Sequence, residues 1–273
     1  MKNNRSLLFL ALFFLTIVTS IISCKKNVST ETSTALGPVP AGKSELKIMM
    51  TDDPSVIFDS IFIDIQQVEV KVEDSTGAQH WDTLAIRAGV YNILRFRNGL
   101  DTLLATGYVP NGEVEKIRIT LGNRNSVVFN GVAIPLVNID KVITIDVHGD
   151  VDHLDPRHLR IWLDFDGHGS IRFHNGRLEL KLKIGHFCRS KSGELEGEIK
   201  PSAALPATLT LVDGTDTLRA IPDREGEFKI RGIKNSTVKL IISPSNGYKD
   251  SVINNIQIRR GDDTDLGKIV LHR

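Results

Sequence analysis

DSIFIDIQQVEVKV, residues 59–72, decides the fold class of this chain. Isoleucines occupy the odd positions 61, 63 and 65, and valines occupy the even positions 68, 70 and 72. Successive side chains of a strand point to opposite faces, so an apolar residue at every second position predicts a strand with one buried face. A strand can keep that face across a change of parity only if it contains an extra residue. The stretch therefore predicts a β-bulge or a bend at Gln66 and Gln67.

The same two-residue period recurs along the rest of the chain. Residues 177–184 alternate without a break, and two shorter segments share the pattern: Leu46, Ile48 and Met50, and Ile117, Ile119 and Leu121. Residues 100–106 are the one stretch that favours a helix, of a turn or two. The pattern predicts an all-β protein with two β-sandwich domains in tandem, of immunoglobulin-like or transthyretin-like type.

The first 23 residues are predicted to be a signal peptide. Lys2 and Arg5 precede an apolar run at residues 7–18, which is shorter than the roughly 20 residues of a membrane-spanning helix. The segment ends in IISC, residues 21–24, which resembles the lipobox of bacterial lipoproteins. The resemblance implies that Cys24 is acylated and that the lipid chains anchor the protein to a membrane. The alternative is an ordinary secreted protein with a chance cysteine.

Residues 24–43 are rich in Thr, Ser, Pro, Gly and Lys, which predicts a disordered tether. Lys25 and Lys26 do not resemble the acidic tags that some Gram-negative lipoproteins carry for surface display. We therefore expect a protein anchored at the outer membrane that faces the periplasm rather than the cell exterior.

The net charge and the cysteine count bear on two questions, whether the protein binds nucleic acid and whether disulfide bonds stabilise it. The formal net charge is +1, so no nucleic-acid partner is predicted. If Cys24 carries lipid, Cys188 has no disulfide partner, and hydrophobic cores must supply the stability. Cys188 lies beside His186 and Arg189, which could lower its pKa, but its place at a predicted domain junction favours an inert residue.

Residues 193–273 form a second block of short strands joined by turns. Asp223, Gly226 and Phe228 form an Asp-x-x-Gly-x-Phe motif, and LGKIVL at residues 266–271 closes the block. The block resembles the carboxypeptidase regulatory-like, or transthyretin-like, domain. That resemblance implies a sandwich that accompanies other domains and has no catalytic residues. Gly226 is expected to supply a turn with positive φ, and Phe228 to fill the core.

Residues 44–186 resemble a different family, DUF4382. The resemblance lies in MMTDDPSVIFDSIFIDIQQVEV at residues 49–70, LLATGYVPNGEVEKIRITL at residues 103–121 and WLDFDGHGSI at residues 162–171. It implies a β-sandwich found in bacterial lipoproteins beside other surface modules, and it brings no active site. The predicted boundary between the two domains lies within residues 186–192.

The sequence offers little support for catalysis or metal binding. It contains no Gly-x-Ser-x-Gly elbow, His-Glu-x-x-His pair or P-loop, so no enzyme activity, catalytic residue or cofactor is predicted. Residues 146–174 are rich in His and Asp, but His148, His153 and His158 lack the spacing of zinc ligands. DFDGHGS at residues 164–170 imitates half of an EF-hand loop and has no Glu at the twelfth position. No metal site is predicted, and metal binding by residues 146–174 stays the weakest alternative.

One strand face is the candidate ligand surface. In residues 159–166 the odd positions are apolar and predicted to face the core, which leaves Arg160, Trp162, Asp164 and Asp166 on the other face. An exposed indole there could stack on a sugar, while burial under a loop or the second domain is the favoured alternative. Exposure would indicate a binding module for a glycan or an envelope protein. Burial between domains would indicate a structural or assembly accessory of an outer-membrane complex.

Overall fold

The computed structural model describes residues 36–53, 57–155 and 157–273. Within these ranges the chain forms strands and three short 3-10 helices, and no α-helix, so the all-β prediction is confirmed. The predicted signal peptide, Cys24 and residues 25–35 lie outside the described residues. None of the described elements is a helix with the length and hydrophobicity needed to span a membrane.

The first sixteen strands belong to the N-terminal part. They are β1 (Lys43–Asp53), β2 (Ser60–Asp74), β3 (Gln79–Thr83), β4 (Ala85–Ile86), β5 (Gly89–Asn92), β6 (Thr102–Pro110), β7 (Gly112–Leu121), β8 (Ser126–Phe129), β9 (Val132–Pro135), β10 (Val137–Asn138), β11 (Val142–Asp146), β12 (Asp152–Asp155), β13 (His158–Asp166), β14 (Ile171–His174), β15 (Arg177–Leu180) and β16 (Ile184–Phe187).

The remaining seven strands belong to the C-terminal part. They are β17 (Gly193–Lys200), β18 (Ala207–Asp213), β19 (Asp216–Ala220), β20 (Glu227–Ile233), β21 (Thr237–Pro244), β22 (Ser251–Gln257) and β23 (Asp263–Val270). The 3-10 helices are Ile93–Phe96, Arg189–Lys191 and Ser202–Ala204.

The N-terminal part is a sandwich of two main sheets. One sheet has the strand order β12-β13-β1-β6-β4, with β16 also paired to β13, and the other has the order β11-β7-β2-β8-β9, with β3 and β5 paired to β2. A small third sheet has the order β10-β15-β14. Aliphatic side chains from both main sheets form one buried cluster between them. Strands β1 and β13 run parallel, which places Thr51 beside Asp164.

Strand β2 crosses the middle of the second sheet and contains the predicted bulge. Ile65 pairs with Leu121 and Gln67 pairs with Thr120, so Gln66 is the extra residue. The bulge keeps one face buried on both sides of the parity change, and the six aliphatic residues that it unites are fully buried: Ile61, Ile63, Ile65, Val68, Val70 and Val72. The prediction from residues 59–72 is confirmed.

Three expectations about local structure need correction. Residues 100–106 are not helical, because β6 takes up most of this segment and pairs with β1, so tertiary pairing overrides the local preference. Residues 177–184 form two strands rather than one, since residues 181–183 leave the ladder. The predicted tether is shorter than residues 24–43, because the Tyr108 hydroxyl donates to the Gly37 carbonyl and the Arg157 guanidinium donates to the Pro40 carbonyl.

The C-terminal part is a smaller sandwich with its own core. Its sheets have the orders β20-β17-β23 and β19-β18-β21-β22, and side chains from both fill a second buried cluster. Gly226 has φ +95°, and a Cβ on it would lie 2.3 Å from the Ile199 carbonyl oxygen. Phe228 is buried. Both roles expected from the Asp-x-x-Gly-x-Phe motif are observed.

The segment between the sandwiches is a tight turn. The Asp152 carboxylate accepts hydrogen bonds from the backbone N–H groups of Arg189 at 2.7 Å and Ser190 at 2.9 Å. The Ser192 hydroxyl donates to the Cys188 carbonyl at 2.8 Å. These bonds fix the direction in which the chain enters β17.

Deletion of Gln66 tests the role of the bulge. Because Leu121 and Thr120 are consecutive on β7, removing Gln66 should convert the bulge into a regular ladder and cost only about 1–2 kcal/mol of the free energy of unfolding. Deletion of Glu69 is the matched control. It should prevent folding, because Val70 and Val72 would turn to solvent and Lys71 would enter the core. Urea unfolding followed by circular dichroism compares the two, and similar losses would contradict this account.

Candidate functional site

Strand β13 separates a core face from a face directed at the C-terminal sandwich. Leu159, Ile161, Leu163 and Phe165 are buried in the N-terminal core, as the alternation predicts. The opposite face carries the four predicted ligand-binding residues, Arg160, Trp162, Asp164 and Asp166. The structure therefore brings these four residues onto one strand face, but it does not leave that face open.

Trp162 is only 3% exposed. Its indole stacks on the Phe187 ring, with centroids 5.8 Å apart and an interplanar angle of 10°, and packs with Met49 in a small apolar cluster. Phe187 in turn lies against Gly232 of the C-terminal sandwich. The idea of an open platform on which a sugar stacks is therefore wrong for this arrangement, because Phe187 and Met49 cover the large ring. Burial, the favoured alternative, is what the structure contains.

Asp101 joins Trp162 to the second domain. Its Oδ2 atom accepts hydrogen bonds from the Trp162 indole Nε1 and from the Arg231 guanidinium Nη1, both at 2.8 Å. The Asp101 and Arg231 side chains are 12% and 18% exposed, so little water competes for this carboxylate. A charge-assisted bond to a guanidinium in such a setting is stronger than a neutral bond. One oxygen therefore orients the indole and holds strand β20 of the other domain.

Asn98 forms the second polar contact between the domains. Its side-chain amide donates to the Glu227 carbonyl at 3.0 Å and its amide oxygen accepts from the Lys229 N–H at 2.7 Å. These are the backbone groups that a neighbouring strand would use at the outer edge of β20. Within the described chain no strand pairs with the outer side of β20, and Asn98 occupies part of that edge. Gly99, at φ +76°, lets the loop approach closely, because a Cβ there would lie 2.9 Å from Lys229 Cβ.

A network of ion pairs surrounds the base of this interface. The Lys229 ammonium lies 3.0 Å from Glu194, 3.0 Å from Glu196 and 3.1 Å from Asp263. Burial would lower the pKa of Lys229, but hydrogen bonds to these carboxylates raise it above its ordinary value. Lys229 therefore stays charged across the physiological range, and it ties β20 to the neighbouring strands of the C-terminal sandwich.

Asp164 lines a narrow cavity between the domains. The cavity measures about 30 Å³, room for roughly one water molecule, and it is also lined by Thr51, Lys229 and Arg231. Loss of hydration raises the pKa of Asp164 to about 7, and the negative charge of Asp166 adds to the rise. Asp164 is therefore partly protonated at neutral pH.

Asp166 has a local structural role. Its carboxylate accepts a hydrogen bond from the Gly169 N–H at 2.6 Å, and its carbonyl accepts one from the Ser170 hydroxyl at 2.5 Å. These bonds close the turn after β13, which accounts for the DFDGHGS motif without a calcium ion.

The His- and Asp-rich region 146–174 does not converge on a point. Among the described residues, no group of three or more His, Cys, Asp or Glu side chains is placed to hold a metal ion. Histidines of this region instead pair singly with carboxylates of different strands: His148 with Glu113, His158 with Glu45 and His174 with Glu179.

Cys188 is buried in the junction. Burial raises the pKa of its thiol, and the negative charges of Asp152 and Asp150 oppose ionisation too. A buried thiol with a raised pKa is a poor nucleophile. The environment is that of a structural residue.

The residues that unite the domains were not recognisable in the sequence. Asn98 and Gly99 form a dipeptide typical of turns, which could have located the loop but not its partner strand. Asp101 and Arg231 are 130 positions apart. No local pattern marks either of them.

The N-terminal sandwich matches a family model. Residues 43–183, just over half of the chain, match the family described as "Domain of unknown function (DUF4382)". The chain belongs to the DUF4382 family. The resemblance noted for residues 44–186 is thereby confirmed. No curated protein matches this DUF4382 chain.

Several solved structures are similar to the DUF4382 chain at low scores. A type II cohesin–X-dockerin complex from Acetivibrio cellulolyticus is 24% identical with TM-score 0.24, covering 29% of this chain and 56% of that chain. A shaft pilin from Lactobacillus rhamnosus GG is 9% identical with TM-score 0.23, covering 84% and 96%. The Bacillus anthracis TIE protein is 11% identical with TM-score 0.24, covering 85% and 34%. The chain spans little more than half of the first of these, and at such scores none of them informs its function.

Asp164→Asn tests the pKa of the cavity carboxyl. Because the folded-state pKa, about 7, lies above the ordinary value of 3.8, the folded wild type binds the extra proton and loses stability as pH rises from about 4 to 7. The Asn variant cannot ionise. Its free energy of unfolding should match the wild type near pH 4 and exceed it by about 1–3 kcal/mol at pH 8.

Asp146→Asn is the control for this experiment, since the Asp146 side chain is 69% exposed. Urea unfolding of the three proteins between pH 4 and 8 provides the comparison. A difference between Asp164→Asn and wild type that does not change with pH would refute the assignment.

Asp101→Ala tests the domain junction. It removes two hydrogen bonds and leaves the Trp162 N–H and the Arg231 guanidinium without their shared acceptor, so the free energy of unfolding should fall by about 2–4 kcal/mol. Asp140→Ala, in an exposed loop, should change it by less than about 0.5 kcal/mol. Equal effects of the two substitutions in urea titrations would show that Asp101 does not hold the junction.

Proposed function

We propose that this protein is a non-catalytic, lipid-anchored component of the cell envelope whose two sandwiches act as one rigid unit in an outer-membrane assembly. The observation that carries the proposal is the shared Asp101 oxygen, which accepts hydrogen bonds from the buried Trp162 N–H of one sandwich and from the Arg231 guanidinium of the other. The one large ring on the predicted ligand face serves the junction, which favours the structural role over a glycan platform.

Rigidity is the property that such an accessory needs. Tandem domains move relative to one another unless a well-packed interface prevents it. Here a stacked pair of aromatic rings, a shared carboxylate, the Asn98 amide and a short turn fixed by Asp152 act together. A unit held in this way can set the distance and the orientation between the membrane and a partner protein.

The anchor in this proposal is Cys24. The apolar run and the IISC tetrapeptide support lipidation, and Lys25 and Lys26 support the periplasmic side of the outer membrane. In this proposal the C-terminal sandwich, residues 193–273, is a carboxypeptidase regulatory-like accessory domain. The motif formed by Asp223, Gly226 and Phe228 supports that assignment. No catalytic step is assigned to either domain.

Recognition of an envelope protein is compatible with this role, because an assembly component must contact a partner. Recognition of a glycan loses its main support, since it relied on an exposed Trp162. Arg160, Asp164 and Asp166 would have to bind a sugar without the ring that stacks on its C–H face.

Cys24→Ser tests the anchor. The wild type should partition into the detergent phase of a Triton X-114 extract of its native host, and the variant should move to the aqueous phase because it cannot be acylated. Cys188→Ala is the matched control and should stay with the detergent, since Cys188 is buried in the folded domain. If the Cys24→Ser variant stays in the detergent phase, the protein is not anchored by lipid on Cys24.

A further inference from the structure

Glu179 on the β14–β15 hairpin is a buried carboxylate held by cations. Its side chain is 2% exposed, and it is bound by Arg172 Nε at 3.1 Å, Arg177 Nη2 at 3.2 Å and His174 Nδ1 at 3.3 Å. Burial alone would raise the pKa of Glu179, but hydrogen bonds from these three side chains lower it below its ordinary value. Glu179 is therefore ionised and fixes the two guanidinium groups and the imidazole in place.

The cationic side chains themselves remain accessible. Arg172, His174 and Arg177 have side chains that are 53%, 55% and 56% exposed. Each guanidinium uses Nε and Nη2 to bind Glu179, and its Nη1 group has no partner within the described ranges. Two permanent positive charges face one negative charge, so the cluster keeps an excess of positive charge. Exposed Lys181 follows directly after β15 and adds a third positive charge nearby.

Strand β14 is an open edge beside this cluster. The sheet has the order β10-β15-β14, so in the described part of the chain no strand pairs with the outer side of β14. Arg172 lies opposite Glu179 and His174 lies opposite Arg177, which places the cations on one face of the hairpin. Phe173 points to the other face and is 74% exposed. An open edge with cations on one face and an apolar ring on the other presents an alternating pattern to a new strand.

We propose that β14 binds an extended acidic peptide segment of a partner protein by strand addition. The backbone of the peptide pairs with the free edge of β14, its carboxylates contact Arg172 and His174 from one face, and an apolar side chain covers Phe173 on the other. A polysaccharide or a lipid surface could use the charge but has no strand to pair with the edge. A second copy of this hairpin would bring like charges together, so the cations select against self-association.

This inference rests on the proposed non-catalytic assembly role, for which it supplies the contact surface. The two fail separately, because the peptide experiment contains no membrane and does not depend on Cys24.

The test is an NMR titration of the ¹⁵N-labelled protein with an acetylated peptide of alternating Glu and Val. Chemical-shift changes should concentrate at residues 171–174, and amide exchange there should slow. The same peptide N-methylated at every second residue keeps its charge but cannot form the ladder, and it should bind at least about tenfold more weakly. Equal binding of the N-methylated peptide overturns strand addition. Equal shifts with polygalacturonate or with phosphatidylglycerol vesicles overturn it as well.

Two variants connect the binding to named residues. The double variant Arg172→Gln/Glu179→Gln removes one positive and one negative charge, so no buried carboxylate is left without its partner. It should weaken binding about tenfold, because the peptide loses its contact with the Arg172 guanidinium. Phe173→Thr changes only a side chain that is 74% exposed, so it should leave folding intact while weakening binding. Lys249→Glu, on an exposed loop of the other domain, is the control and should have no effect. Unchanged binding in the first two variants overturns the assignment of β14.

Discussion

One carboxylate oxygen is the central polar contact between the two sandwiches. Asp101 Oδ2 binds the Trp162 indole of one domain and the Arg231 guanidinium of the other. Without it, the buried Trp162 N–H would lose its acceptor and the largely buried Arg231 guanidinium would keep only its longer contact to Glu194, at 3.5 Å. The ring orientation, the stacking on Phe187 and the approach of β20 to the loop at residues 98–101 all follow from this shared acceptor.

Polar contacts fix the relative position of the two sandwiches more precisely than apolar contacts alone would. An apolar patch would tolerate sliding, whereas the Asn98 side chain can hydrogen-bond to the Glu227 carbonyl and the Lys229 N–H only when β20 lies in one position against the loop. Asp164, which lines the cavity between the domains, has a pKa raised to about 7 by loss of hydration, which makes the junction sensitive to pH near neutrality. The exposed cations on β14 lie on a separate sheet, so partner binding there can occur while the domains stay fixed.

The sequence predicts the features that follow from the alternation of apolar residues along a strand and from local turn motifs. The change from odd to even positions in residues 59–72 identified the bulge at Gln66, and the Asp-x-x-Gly-x-Phe motif identified the roles of Gly226 and Phe228, because both are local constraints on the backbone. It could not predict that Asp101 meets Arg231, since that contact depends on how two finished domains pack. Residues 100–106 illustrate the same limit, because pairing with β1 decides their conformation. For Trp162, alternation gave the correct face, and only the packed structure revealed what covers it.

Residual dipolar couplings of the weakly aligned protein show whether the two sandwiches form one rigid body. Amide couplings from residues 43–183 and from residues 193–271 each define an alignment tensor, and a rigid pair of domains shares one tensor. If the Asp101 junction holds the sandwiches rigidly, both sets should fit a single tensor in the orientation of the structure. Two tensors of different magnitude or orientation would mean that the domains move independently, and the junction at Asp101 would then not be what holds this protein together.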